Sequence, residues 1–332
     1  MSNVQIVIVG ADDSDIRLDR WFKRHFPVVG HGQLEKWLRT GQVRVDGKRV
    51  KAGDRLAVGA EVRVPPLPVA SDKPAAAKPK RPPVDEKTAR MLKDAILYKD
   101  DDVIVLNKPP GLAVQGGTGM ADKHLDAMLD ALCFEKPDRP KLVHRLDKDT
   151  SGVLLLGRTA NATAKLAAAF KSREARKCYW ALVVGVPKIK QGRIDAALAK
   201  TPGRAGEKMA VDDEDGKHAV TYYRVVDSTV KRAAWLEMEP RTGRTHQLRA
   251  HCALLGTPIL GDGKYGAAEA FIAGTGISRK LHLHARALRL PHPRGGILEI
   301  VAPLPEHMTA SFDFFGFEPK SAGKPFAAFD AE

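Results

Sequence analysis

A stretch rich in proline, lysine and alanine, from Pro65 to Arg90, limits what this chain can fold into more than any other feature. It opens Pro65-Pro66-Leu67-Pro68 and continues through Lys73-Pro74-Ala75-Ala76-Ala77-Lys78-Pro79-Lys80-Arg81-Pro82-Pro83. Each proline deletes a backbone donor, and a segment this poor in large apolar side chains cannot bury enough surface to offset the entropy of ordering it. Residues 65–90 are therefore expected to form an extended tether. A small domain over 1–64 is expected before it, a larger one over 91–310 after it, and a tail over 311–332.

The small domain is legible from periodicity. Val4 to Val9 reads as a strand. In Arg17-Leu18-Asp19-Arg20-Trp21-Phe22-Lys23-Arg24-His25, the residues Leu18, Trp21 and Phe22 recur at helical spacing; Leu34, Trp37 and Leu38 do so between Gln33 and Arg39. Gln42 to Val50 alternates apolar and polar residues around Asp46-Gly47, a hairpin signal, and Glu61-Val62-Arg63-Val64 closes the unit as a strand. Arg20, Lys23, Arg24, Lys36, Arg39, Arg44, Lys48 and Arg49 give this module a basic platform suited to phosphates. The order Arg-Leu-Asp, two helices, then Gly-x-Val-x-Val-Asp-Gly-Lys resembles the S4 RNA-binding domain, with His31-Gly32 standing where that family opens its second helix with Ser-Arg.

The larger domain mixes strands and helices without the regular alternation of a doubly wound sheet. Val103 to Leu106, Val153 to Leu156, Tyr179 to Val184, Val220 to Val226, Ala234 to Pro240 and Ile297 to Ala302 read as strands, and Leu125 to Leu132 and Ala160 to Phe170 as helices. The expected class is α+β with a mixed, largely antiparallel sheet. The chain carries 54 Lys and Arg against 40 Asp and Glu, a formal charge of +14, which favours a polyanionic partner. No apolar run approaches the ~20 residues needed to cross a bilayer, so a membrane partner is not expected. Cys133, Cys178 and Cys252 are too scattered for a disulfide framework or a zinc site, which points to a reducing, cytoplasmic setting.

Two constellations carry chemistry. Asp147 sits in a polar turn, His144-Arg145-Leu146-Asp147-Lys148-Asp149-Thr150-Ser151-Gly152, immediately before a wholly apolar strand. Cationic neighbours favour the ionised form of a carboxylate, as a nucleophile requires, though a turn-capping aspartate would look the same. The second is Arg241-Thr242-Gly243-Arg244-Thr245-His246-Gln247-Leu248-Arg249-Ala250-His251, whose guanidinium groups suit a carboxylate or a phosphate. His246, His251 and the pair His282-x-His284 lack acidic or cysteine partners at ligand spacing and read as structural histidines, with no metal expected.

Taken in order, these motifs resemble the RluA family of bacterial pseudouridine synthases. Supporting segments are Leu106-Asn107-Lys108-Pro109-Pro110-Gly111, Lys177-Cys178-Tyr179-Trp180-Ala181-Leu182-Val183, Leu260-Gly261-Asp262-Gly263-Lys264-Tyr265-Gly266 and Leu283-His284-Ala285-Arg286-Ala287-Leu288. Ala113-Val114-Gln115-Gly116-Gly117-Thr118-Gly119 resembles the branch acting on large-subunit ribosomal RNA.

The resemblance implies a pseudouridine synthase fold with a central cleft and a cofactor-free isomerisation of uridine in structured RNA by a monomer. It implies that Asp147 is the catalytic carboxylate, that Arg249 pairs with it, and that Tyr179 stacks on the uracil and helps remove the C5 proton. Arg145 is implied to enter the gap left by the flipped nucleotide, Leu248 to pack on the base, and Arg244 and His246 to contact RNA. A non-enzymatic S4-type ribosome-assembly factor, and a synthase for tRNA or small-subunit rRNA, are the alternatives.

Overall fold

The computed structural model describes residues 4–13, 15–67, 84–116, 123–201, 208–230, 232–273 and 276–330. The chain divides into two compact units, Met1–Lys80 and Arg81–Glu332. Most of the expected tether, and the segment Gly117-Thr118-Gly119, lie outside the described residues.

The first unit consists of β1 (Gln5–Ile8), α1 (Leu18–His25), α2 (His31–Arg39), β2 (Arg44–Val45), β3 (Lys48–Arg49) and β4 (Glu61–Val64). Its strands form an antiparallel sheet in the order β1-β4-β2-β3. Leu18, Trp21 and Phe22 of α1 and Leu34, Trp37 and Leu38 of α2 are buried with Val43, Val62 and Val64, as the spacing predicts. Asp46 (φ 47°) and Gly47 (φ 73°) both take positive φ, the conformation that lets a two-residue turn match the twist of its strands. α2 starts at His31 with Gly30 as its N-cap and no side-chain cap. The eight basic platform residues are all exposed. Arg24 is committed to Asp13 at 2.7 Å, and Arg44 to the carbonyls of Gly41 and Gly47.

The second unit begins earlier than expected. α3 (Glu86–Asp94) starts inside the span assigned to the tether, because Asp85 caps it by accepting a hydrogen bond from the Thr88 amide at 2.9 Å. Then follow β5 (Ile96–Lys99), β6 (Val103–Lys108), α4 (Leu125–Met128), β7 (Lys141–Leu142), β8 (Ser151–Gly157), α5 (Ala160–Ser172), β9 (Arg176–Val184), β10 (Gln191–Asp195), β11 (Leu198–Thr201) and β12 (Lys208–Val211). β13 (Val220–Thr229), β14 (Ala233–Pro240), α6 (Gln247–Leu254), β15 (Leu283–Pro291), β16 (Ile297–Val301) and α7 (Glu306–Phe315) complete it.

The main sheet runs β10-β13-β14-β9-β15-β8-β6-β5, with β16 on β15 and β7 on β8. Its pairings are antiparallel except β8 with β15. The α+β class and the largely antiparallel sheet stand as expected. β8 and β14 are buried along their whole length, which places them in the middle of the sheet with both faces covered. β11 and β12 form a separate hairpin.

The expected tail is not a tail. α7 runs across residue 310, and Phe312, Phe317, Ala322 and Phe326 pack with Trp180 and Trp235 in one buried cluster. Arg176 reaches Asp330, and Arg224 donates to the Ala322 carbonyl. Aromatic residues that each bury roughly 150–250 Å² hold this segment against β9 and β14.

Candidate active site

Asp147 lies in the loop entering β8, and the sequence around it fixes that loop from three sides. Gly152 takes φ 109°, and a Cβ there would sit 2.2 Å from the Ala285 carbonyl oxygen, so only glycine lets β8 approach β15 this closely. Lys108, at the end of β6, is 1% exposed and donates to the carbonyls of Pro109, Leu112 and Lys148 at 2.8–2.9 Å. The Gly111 amide donates to the same Lys148 carbonyl. Burial pushes the Lys108 ammonium down to about 8, against the pull of Asp149 and Asp147. Lys108 thus clamps the residue after Asp147 to the strand on the far side of β8.

His144 does not supply the positive charge expected of it. Its ring stacks on Phe170 at 4.5 Å, and Nε2 accepts the Leu155 amide at 3.0 Å. Burial depresses its pKa to about 3. It is a neutral acceptor that pins the loop to β8.

The second constellation forms α6, a helix in which Gln247 to Cys252 are all buried. The expected Arg249–Asp147 pair is replaced by another. Arg249 directs its fork at Asp262, with both nitrogen–oxygen distances 2.7 Å, and its guanidinium lies 5.0 Å over the Tyr265 ring. Asp262 precedes Tyr265 in a turn whose Gly261 (φ 83°) tolerates no side chain, since a Cβ would meet the Lys280 carbonyl at 2.0 Å. Asp147 lies near enough to favour the Arg249 charge, but as a lesser influence than Asp262. Gln247 is a hub: it accepts from Thr242 and the Arg244 amide and donates to the Val220 carbonyl and Thr221.

His246, the residue before α6, is a non-glycine with φ 50°, a strained conformation of the kind stored at functional sites. Its Nδ1 meets the Tyr265 hydroxyl at 3.0 Å, and its Nε2 stands 3.9 Å from Asp147 Oδ2. Burial lowers the His246 pKa; Arg249 and Lys264 act in the same direction, and Asp147 and Asp262 oppose them.

These parts border one cleft of about 780 Å³, lined by Arg145, Asp147, Tyr179, Arg244, His246, Leu248 and Arg249. All seven predicted catalytic and substrate-contacting residues therefore converge, although they come from three distant segments. Tyr179 comes from β9; burial raises its hydroxyl pKa, and Asp147 adds to the rise. Leu248 packs with Leu283, Met238 and Tyr179 as an apolar wall. Arg145 is exposed at the cleft, and its guanidinium makes no ion pair or hydrogen bond among the described residues. Arg244 gives Nε to the His218 carbonyl. Lys171, Arg173, Lys177 and Arg241 extend the basic lining. An apolar slot beside a carboxylate, rimmed by cations, can hold a planar base and bind the phosphates attached to it.

Lys108, Asp262, Tyr265 and Gln247 also shape the site; each lies within one of the family-like segments, but residue type and spacing alone assign them no role. His251, His282 and His284, expected to be structural, are buried and engaged inside the fold. His251 meets Thr221, His282 meets Ser311 and the Lys280 carbonyl, and His284 meets Ser151.

Comparison with known proteins agrees with this geometry. Residues 102–254 match the family model described as RNA pseudouridylate synthase. The ribosomal large subunit pseudouridine synthase C of Escherichia coli strain K12 is 37% identical over 311 residues, covering 92% of this chain and 94% of that protein. The chain belongs to the RNA pseudouridine synthase family. The synthase is also 34% identical to RNA pseudouridine synthase 4, mitochondrial, of Arabidopsis thaliana, over 94% of this chain and 82% of the relative. Among solved structures, Human RNA Pseudouridylate Synthase Domain Containing 4 matches with TM-score 0.58 and 32% identity, over 69% of this chain and 95% of that one. This synthase is thus an isomerase acting on RNA, and the reading as a binding protein without catalysis is set aside.

Proposed function

We propose that the synthase isomerises specific uridines of large-subunit ribosomal RNA, with Asp147 as its catalytic carboxylate. The observation carrying this reading is the convergence of Asp147, Tyr179, Leu248 and Arg249 on one cation-rimmed cleft. A uridine stacked in RNA is out of reach, so it must be extruded into that cleft, at a cost of about a few kcal/mol. Arg145, without an ion pair or hydrogen bond among the described residues, is suited to fill the gap left behind. Tyr179 and Leu248 offer the flat and apolar surfaces a uracil needs. Asp147 serves as nucleophile or charge stabiliser while the glycosidic bond breaks and re-forms at C5. Arg249 organises the site through Asp262 and Tyr265, and Arg244 and His246 contact the RNA.

The large-subunit target is supported by the name and the near-complete coverage of the Escherichia coli relative. The first unit is read as an S4-like RNA-binding domain, because its exposed cations surround two helices and an Asp-Gly hairpin. It adds phosphate contacts without chemistry. The synthase is proposed to act as a cytoplasmic monomer needing no cofactor. Its three cysteines are free, and among the described residues no helix is long and apolar enough to cross a membrane.

The test is a pseudouridine map of ribosomal RNA and tRNA from cells with and without the protein. Sites lost from large-subunit rRNA support the reading; losses confined to tRNA or small-subunit rRNA overturn the target.

A further inference from the structure

The 3.9 Å between His246 Nε2 and Asp147 Oδ2 is too long for a direct hydrogen bond. It leaves room for one oxygen at about 2.8 Å from each. What that oxygen must be follows from the proton on the imidazole. The Met209 amide of β12 donates to the Tyr265 hydroxyl oxygen at 2.9 Å, and His246 Nδ1 lies 3.0 Å from the same oxygen. The described residues offer that hydroxyl no other hydrogen-bond partner. Nδ1 is the acceptor that the described residues offer the Tyr265 O–H, and with that hydrogen directed to it the ring carries its proton on Nε2. Burial favours the neutral imidazole, against the pull of Asp147. Asp147 therefore faces an N–H donor across the gap.

A group placed there must accept from His246 and donate to a carboxylate through a single atom. Phosphate oxygens and the uracil carbonyls only accept, and the uracil N3–H only donates. A hydroxyl does both, as water does, and the hydroxyl that a nucleotide within an RNA chain carries is the ribose 2′-OH, adjacent to C1′, where the glycosidic bond breaks.

We infer that His246 and Asp147 together read the 2′-hydroxyl of the extruded uridine, so that His246 sets the preference for RNA over DNA at the target nucleotide. Tyr265 is a positioning residue that holds the His246 tautomer. The contact occupies Oδ2 of Asp147 and leaves Oδ1 for the reaction. The 2′-OH is the group that distinguishes RNA from DNA, and a buried donor left without its acceptor is what makes the distinction costly.

This inference rests on the proposed function. Its test uses synthetic RNAs spanning a uridine identified by the map, with ribouridine, 2′-deoxyuridine or 2′-fluorouridine at that position, and measures both kcat/KM and Kd. The wild type should prefer ribouridine by about ten- to a hundredfold in kcat/KM, the loss expected for one buried hydrogen bond. The 2′-fluoro RNA, with no proton for Asp147, should follow the deoxy RNA. His246→Asn tolerates the positive φ and keeps a partner for Tyr265 but removes the distal N–H. It should reduce the ribo-to-deoxy ratio to within about threefold. His246→Gln, whose amide extends further, should restore part of it. Tyr265→Phe should lower the ratio and move the ¹⁵N shifts of His246 away from the Nε2–H tautomer.

A wild-type protein indifferent to the 2′ substituent, or a His246→Asn variant with an unchanged ratio, overturns the inference. A wild-type protein that isomerises none of the RNAs overturns the functional reading instead. The ratio of Kd values then decides the 2′-hydroxyl contact by itself.

Discussion

Arg249 and Asp262 form a two-pronged ion pair, with Nε and a terminal nitrogen each 2.7 Å from a carboxylate oxygen, and the Asp262 side chain fully buried. The pair ties α6 to the turn carrying Tyr265, and so joins the two segments that surround His246. Removing one partner leaves a buried charge uncompensated, which costs about 3–5 kcal/mol. Asp262→Ala is expected to lower the urea-unfolding stability by that amount. A loss below about 1 kcal/mol would mean that the pair does not hold the site together.

Lys108 is a second clamp, with three carbonyl partners and no exposed surface to speak of. Lys108→Met keeps the chain length of the side chain but strands those carbonyls, each at about 1–3 kcal/mol if no water replaces the donor. The variant should be less stable, and its kcat should fall more than its RNA affinity, because the Asp147 loop loses its anchor. Wild-type kcat in a folded Lys108→Met protein would contradict the clamp.

Four histidines make stability depend on mild acid. Burial holds the pKa of His144 and His284 to about 3 and that of His251 and His282 to about 4, against an ordinary 6.5. Above pH 6.5 both folded and unfolded forms are neutral. Below it the unfolded chain takes up protons that the folded chain refuses, so stability falls as pH drops toward 4. Each histidine contributes up to about 1.4 kcal/mol per pH unit over that window. Tm should decline below pH 6.5, well before carboxylates titrate; a flat Tm from pH 7 to 5 would contradict the assignment.

The platform of the first unit predicts a salt effect. Lys23, Lys36 and Lys48 are exposed. If each meets a phosphate, changing all three to Gln should reduce the slope of log Kd against log salt by about 2. kcat at saturating RNA should not change. An unchanged slope would make these lysines a solvated face.

Much of this molecule was readable from periodicity, and the reasons for the exceptions are physical. Leu18, Trp21 and Phe22 announce a helix because one face must be apolar, and Val153 to Leu156 announce a central strand because both faces are. Asp147 was legible as a loop residue ahead of that strand. Its surroundings were not. Adjacency in sequence counted His144 among the cations around Asp147, but its buried ring stacks on Phe170 and accepts the Leu155 amide instead. Arg249 found Asp262, thirteen positions on, through a turn that no pattern in the helix reveals. The segment after residue 310 lacks a regular apolar period, yet Phe312, Phe317 and Phe326 are spaced to cover Trp180 and Trp235. Irregular aromatic segments that pack against an existing sheet leave no periodic trace.

The central claim is that Asp147 is the carboxylate that drives the isomerisation. Its most direct test is tritium release from RNA labelled at C5 of uridine, measured for the wild type and Asp147→Asn alongside RNA affinity. The substitution removes the charge with little change in shape. Release by the wild type, its loss by at least about a hundredfold in the variant, and an affinity within a few-fold of wild type are the predicted results. Tritium release by Asp147→Asn at the wild-type rate would contradict the account and assign the chemistry to another group in the cleft.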